Sequence, residues 1–140
     1  MNYKIIDHTA DLAVEFYGKT IAELFENSAV SLSEIIYEKK MSVSEDKNFK
    51  LNFTSDNIEV NYIDFLREIL YNINQNFYYF YKCKATLLSE TSLSIKCWYS
   101  KFKKDDINNE IKAVTYHECE IKSKVIYGHK MYYAKVTFDI

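Results

Sequence analysis

Two groups of residues in this sequence could do chemistry. Phe138-Asp139-Ile140 sets an aspartate beside the carboxylate that Ile140 supplies as a terminal residue. Two anionic groups on adjacent residues, held by a strand, make a ligand pair for a hard cation. Asp7-His8-Thr9-Ala10-Asp11 offers two further carboxylates and an imidazole within five residues. Carboxylate oxygens suit Ca²⁺ or Mg²⁺, and an added histidine shifts preference toward a transition metal. The plain alternative for residues 7–11 is a turn, in which Asp and Thr side chains bond their own backbone. The metal reading requires the two segments to meet in the fold. A small metal-dependent hydrolase using Asp7, His8 and Asp11 is the enzymatic version of that reading. His8 and His117 are then its candidate bases.

Taken singly, the other reactive side chains read as structural. His117 follows Ala113-Val114-Thr115-Tyr116 and precedes a strand, and Gly128-His129 reads as a hairpin turn facing solvent. Cys83, Cys97 and Cys119 are far apart, form no CxxC and fall on expected strands, as small core residues do. No phosphate-binding loop, nucleophile elbow, zinc-protease helix or EF-hand pattern occurs.

The elements that must position these residues follow from periodicity. Residues 2–7 and then Leu12, Val14 and Phe16 alternate as strands. Gly18-Lys19 turns the chain, and Thr20 with Glu23 forms a capping box that opens a helix over Thr20–Tyr37. Lys39–Asp46 is polar and loop-like, and Phe49, Leu51 and Phe53 make a third strand. Asp56 to Glu59 reads as a second helix start, and Ile63, Leu66, Leu70, Ile73 and Phe77 share one stripe of a helix over Asn57–Asn74. Strands are then expected over Tyr78–Leu88, Ser92–Ser100, Glu118–Ile126 and Met131–Asp139, with a charged loop over Lys101–Glu110. In the last two, Cys119, Ile121 and Val125, and Tyr132, Ala134, Val136 and Phe138, face inward. Ile140 is expected to be buried after Phe138, with Asp139 on the opposite face. The order of elements predicts an α+β fold, mainly antiparallel β-sheets with two α-helices, in a single domain over residues 1–140.

Composition bounds the function class. The chain has 140 residues, 18 basic and 20 acidic, for a net charge of −2, so bulk charge does not draw a polyanion and strong direct nucleic-acid binding is not expected. The start carries no signal-peptide pattern, no run reaches membrane-spanning length, and isolated cysteines fit a cytoplasmic protein. Tyr78, Tyr79, Tyr81, Tyr99, Tyr132 and Tyr133 are numerous enough to form an exposed aromatic patch or simply to cover a sheet. The patch would suit a general chaperone or interaction module.

Several segments together resemble the archease family. Asp7-His8-Thr9-Ala10-Asp11, Tyr17-Gly18-Lys19-Thr20 and Glu23-Leu24-Phe25-Glu26-Asn27 look like its opening. Phe65-Leu66-Arg67-Glu68-Ile69-Leu70-Tyr71 resembles its central helix. Glu110-Ile111-Lys112-Ala113-Val114-Thr115-Tyr116-His117 and Val136-Thr137-Phe138-Asp139-Ile140 resemble its closing motifs. The resemblance implies a non-enzymatic protein cofactor of an RtcB-type RNA ligase in tRNA splicing and RNA repair. Such a cofactor speeds GTP-dependent guanylylation of the ligase and allows multiple turnover. The resemblance also implies a bound divalent metal, Ca²⁺ first, with Mg²⁺ or Mn²⁺ as alternatives. Its ligands map to Asp11, Asp139 and Ile140; the residues themselves offer Asp7, His8 and His117 as possible accessory groups. Two departures stand out: Asn74 replaces an acidic residue usual just after the central helix, and Lys101–Asn109 lacks the Gly and Pro of relatives.

Overall fold

The computed structural model describes residues 2–8, 10–41, 47–115 and 119–140, and for Asp7 and His8 the backbone alone. Strands β1 (Tyr3–His8) and β2 (Leu12–Gly18) lead into helix α1 (Ile21–Tyr37). Strand β3 (Asn48–Thr54) and helix α2 (Ile58–Asn76) follow, then β4 (Tyr78–Leu87), β5 (Ser92–Lys101), β6 (Ala113–Val114), β7 (Lys122–Ile126) and β8 (His129–Asp139). The strands form two antiparallel sheets. One has the order β1-β2-β8-β6, with β7 also paired to β8; the other has the order β3-β5-β4. The predicted α+β class is the observed one. No described helix is long and apolar enough to cross a membrane.

The core follows the alternation. Val14 and Phe16 of β2 and Ala134, Val136 and Phe138 of β8 are buried with Leu24, Phe25, Leu32 and Ile36 of α1 and Phe65, Leu66 and Ile69 of α2. Leu93, Ile95 and Cys97 of β5 join the same cluster, so both sheets share one core. Burying each large aliphatic or aromatic side chain is worth about 1.5–3 kcal/mol. Phe16 and Phe138 meet edge to face at 6.3 Å, and Phe25 and Tyr62 likewise at 5.1 Å.

Helix ends are made almost without glycine. Thr20 caps α1 by accepting from the Glu23 N–H at 3.0 Å. The second helix is capped by Asn57, which accepts from the Val60 N–H at 2.9 Å, and not by Asp56. Glu38, Phe77 and Tyr127 take the left-handed backbone that glycine usually takes. The carbonyls at the end of α1 are closed by the Lys101–Glu110 loop. Asn109 Nδ2 donates to Ile35 O at 2.9 Å, and Asn108 Nδ2 to Tyr37 O at 3.0 Å. Tyr127-Gly128 forms the tight turn between β7 and β8.

Several expectations are corrected. Of the strand expected over Glu118–Ile126, Glu118 lies outside the described residues, 119–121 are not strand, and Lys122–Ile126 form β7, where Val125 is 72% exposed because β7 is a solvated hairpin arm. Cys119 and Ile121 are half-buried just before it. Cys83 and Cys97 are buried on adjacent strands. Burial, then the Glu59 and Glu120 carboxylates, push the Cys119 thiol up to about 11, which fits an inert role. The six tyrosines form no exposed patch: Tyr79 is buried and the other five are half-buried against the sheets. Among the described residues the strongly exposed tyrosines are Tyr71 and Tyr127. Asn74 lies inside α2 and not after it, and its Nδ2 donates to Ile111 O at 2.9 Å.

Two stability predictions follow. A Cβ at Gly18 would lie 2.3 Å from Leu24 N and 2.7 Å from the Glu23 carbonyl carbon, both backbone atoms. Gly18→Ala should therefore cost about 1–3 kcal/mol in urea unfolding; a loss under about 0.5 kcal/mol would contradict this close approach. Asn74→Asp replaces a donor with a carboxylate facing the Ile111 carbonyl, at a cost of about 1–3 kcal/mol. An unchanged urea midpoint would show that the bond to Ile111 is dispensable.

Candidate metal centre

The pairing of β2 with β8 brings the two acidic segments to one place. Seven register pairs run from Leu12↔Phe138 to Gly18↔Tyr132. Asp11 lies in the bend just before Leu12 and Asp139 follows Phe138, so the two aspartates flank the last pair of the ladder. Leu12 and Phe138 point into the core, and alternation sends Asp139 to the other face. Both aspartates are exposed.

Asp139 is the better fixed of the two. On its far side β8 pairs with β6, with Asp139 opposite Ala113. Lys112 N–H donates to Asp139 O at 2.8 Å. Thr115 Oγ1 donates to Asp139 Oδ1 at 2.8 Å, which sets the rotation of the carboxylate. Thr115 is itself held by its N–H to Thr137 O at 2.9 Å. Sequence reasoning gave Thr115 no role and missed β6. Two residues are too few for alternation to mark a strand, and of Ala113, Val114 and Thr115 only Val114 is buried.

Ile140 follows directly but is 39% exposed, which corrects the expectation that it is buried. The sheet ends at Asp139, so nothing continues the core beyond Phe138. Asp7 and His8 lie on β1 opposite Ala13 and Leu12, at the same end of the sheet. Their side chains, and all of His117, fall outside the described residues.

The donor chemistry fits a hard cation. Exposed carboxylates on two paired chain segments, one of them rotationally fixed, are oxygen ligands of the type that Ca²⁺, Mg²⁺ and Mn²⁺ take. Among the described residues no three His, Cys, Asp or Glu side chains gather into a metal-holding group. Ile140 follows Asp139 directly, and the β1 backbone at Asp7 and His8 ends at the same edge of the sheet.

Residues 3–140 match the model of the archease protein family. Protein archease of Methanosarcina barkeri is 33% identical over 144 residues, covering 99% of this chain and 95% of the relative. Protein archease of Archaeoglobus fulgidus is 27% identical with both chains fully covered. The solution structure of protein 1598 of Methanobacterium thermoautotrophicum has the same fold, with a TM-score of 0.71 over 99% of each chain at 23% identity. The crystal structure of a Thermotoga maritima archease, described as a possible chaperone, gives a TM-score of 0.58 at 25% identity. It covers 98% of this chain and 96% of that one. With a family match over nearly its whole length and a relative one-third identical, this chain belongs to the archease family.

Proposed function

We propose that this protein is a cytoplasmic accessory factor of an RtcB-type RNA ligase. It promotes GTP-dependent guanylylation and multiple turnover of the ligase in tRNA splicing and RNA repair. It is not itself the catalyst. The observation that supports this reading is the β2–β8 register, whose last pair, Leu12↔Phe138, is flanked by the exposed Asp11 and Asp139 at an end of the sheet that a partner can approach. Asp11, Asp139 and the Ile140 carboxylate would hold one divalent cation, Ca²⁺ or else Mg²⁺ or Mn²⁺. When bound, the cation supplies positive charge of the kind that phosphoryl transfer needs. The Thr115 hydroxyl keeps the Asp139 carboxylate oriented without a partner present.

The family description of one relative as a possible chaperone supports the coarser idea of a protein that acts on another protein. A client-aggregation assay separates a general chaperone from a ligase-specific factor. A phosphoesterase screen with Mn²⁺ and Mg²⁺ separates both from a hydrolase using Asp7, His8 and Asp11; turnover there would replace the accessory reading.

Single-turnover guanylylation of the cognate ligase should accelerate as this protein is titrated in. A flat rate across the series would reject the function. Asp11→Ala and Asp139→Ala should each abolish the stimulation while the thermal transition of the domain stays cooperative. Residues appended after Ile140 should act likewise; full stimulation by an extended chain would remove the Ile140 carboxylate from the ligand set.

A further inference from the structure

The outer face of the β3-β5-β4 sheet is unlike the rest of the molecule. Inward-facing Leu93, Ile95 and Cys97 of β5 are buried, and the alternate residues Ser94, Lys96 and Trp98 face out. Their register partners on β3 are Asn52, Lys50 and Asn48, and on β4 Thr86, Lys84 and Lys82. Lys50, Lys96 and Lys84 thus stand in one row across three strands. Lys82 joins them beside Trp98, the single tryptophan of the chain. The three strands contain no Asp or Glu, although the whole chain has a net charge of −2. None of these four lysines makes an ion pair among the described residues.

Like charges directly opposite one another weaken a sheet. Adjacent strands stand about 4.7–4.9 Å apart, so the row concentrates three ammonium groups within about 10 Å. The nearest carboxylate placed by a described bond is that of Glu26, which accepts from the Ala85 N–H at 2.7 Å and forms no ion pair with the row, so the face suits an anionic occupant. The aromatic ring decides which kind. Lys82 and Lys96 place their ammonium groups 4.7 and 4.9 Å from the Trp98 ring centroid. A flat indole amid cations on an open sheet matches a backbone of phosphates carrying unpaired bases, which stack on aromatic rings. An acidic protein segment would use the lysines but not the ring.

We propose that this face binds single-stranded RNA. Lys50, Lys82, Lys84 and Lys96 contact phosphates, which draws Lys82 and Lys96 off the indole and opens it to a base. Local charge density, not net charge, sets the attraction. Only the choice of RNA over DNA rests on the ligase reading.

The test is fluorescence anisotropy of this protein with a labelled oligouridine of about 16 nucleotides, enough to cross one such face. No ligase is present, so this result and the guanylylation result are read separately. Four phosphate contacts predict a log–log salt slope of about −3. The triple change Lys50→Ala, Lys84→Ala and Lys96→Ala should weaken binding more than about tenfold at 50 mM salt and bring the slope to about −0.7. The matching triple change to Arg should retain binding, with a cooperative melting transition no lower than the wild type's for the alanine triple as the folding control. Trp98→Ala should weaken it at least about fivefold. The proposal is overturned if binding is absent at low salt, if the alanine triple binds like the wild type, or if duplex RNA binds equally well. Equal competition by polyglutamate would assign the face to an acidic protein segment instead, and tighter binding of oligothymidine would overturn the assignment to RNA.

Discussion

The ladder between β2 and β8 is the constraint on which the rest of this structure depends. Its residues lie more than a hundred positions apart in sequence, yet they pair without a break from Leu12↔Phe138 to Gly18↔Tyr132. The entropy of closing so long a loop grows only logarithmically with length, so a well-packed ladder can meet it. The packing comes from Val14 and Phe16 on one strand and Ala134, Val136 and Phe138 on the other, all buried. Both neighbours of this pair depend on it. β1 hangs on the outer edge of β2, and β6 and β7 share the far edge of β8.

Most of the fold could be read from the residues because local and global signals agree. The Thr20 cap, the stripe of α2 and the alternation of β5 each point to the element that forms. What could not be read has a physical cause in each case. Asn57 displaces Asp56 as the cap of α2, since either side chain could accept the N–H and tertiary position selects between them. β6 is two residues long and exists because β8 offers it an edge, which no local pattern encodes. Val125 is apolar yet exposed, as a hairpin arm beyond the helices has no layer to bury it. At the candidate site, alternation placed Asp139 correctly opposite Phe138. It failed for Ile140, where the strand ends and alternation no longer applies. Thr115 was invisible because its partner, Asp139, lies 24 positions away.

Two surfaces of opposite character result. The end of the β2–β8 ladder presents acidic residues, whereas the outer face of the other sheet presents lysines and an indole. They lie on different sheets joined by one hydrophobic cluster, so a partner at one surface does not have to displace anything at the other. Separation of charge in this way leaves a small negative total that hides both surfaces from a composition-level reading.

The order of the strands along the chain also sets an order of assembly. The β3-β5-β4 sheet and both helices are complete in sequence by Lys101, while β2 has only β1 as a neighbour until residues 129–139 have been synthesised. Until that segment is available, the inner edge of β2 has no partner strand. Long-range pairing of this kind is a slow step in folding. A chain interrupted before Tyr132 has no partner for Gly18 or for any residue of β2 on that edge. The buried Val14 and Phe16 are among those residues, since their partners Val136 and Ala134 come from the same late segment.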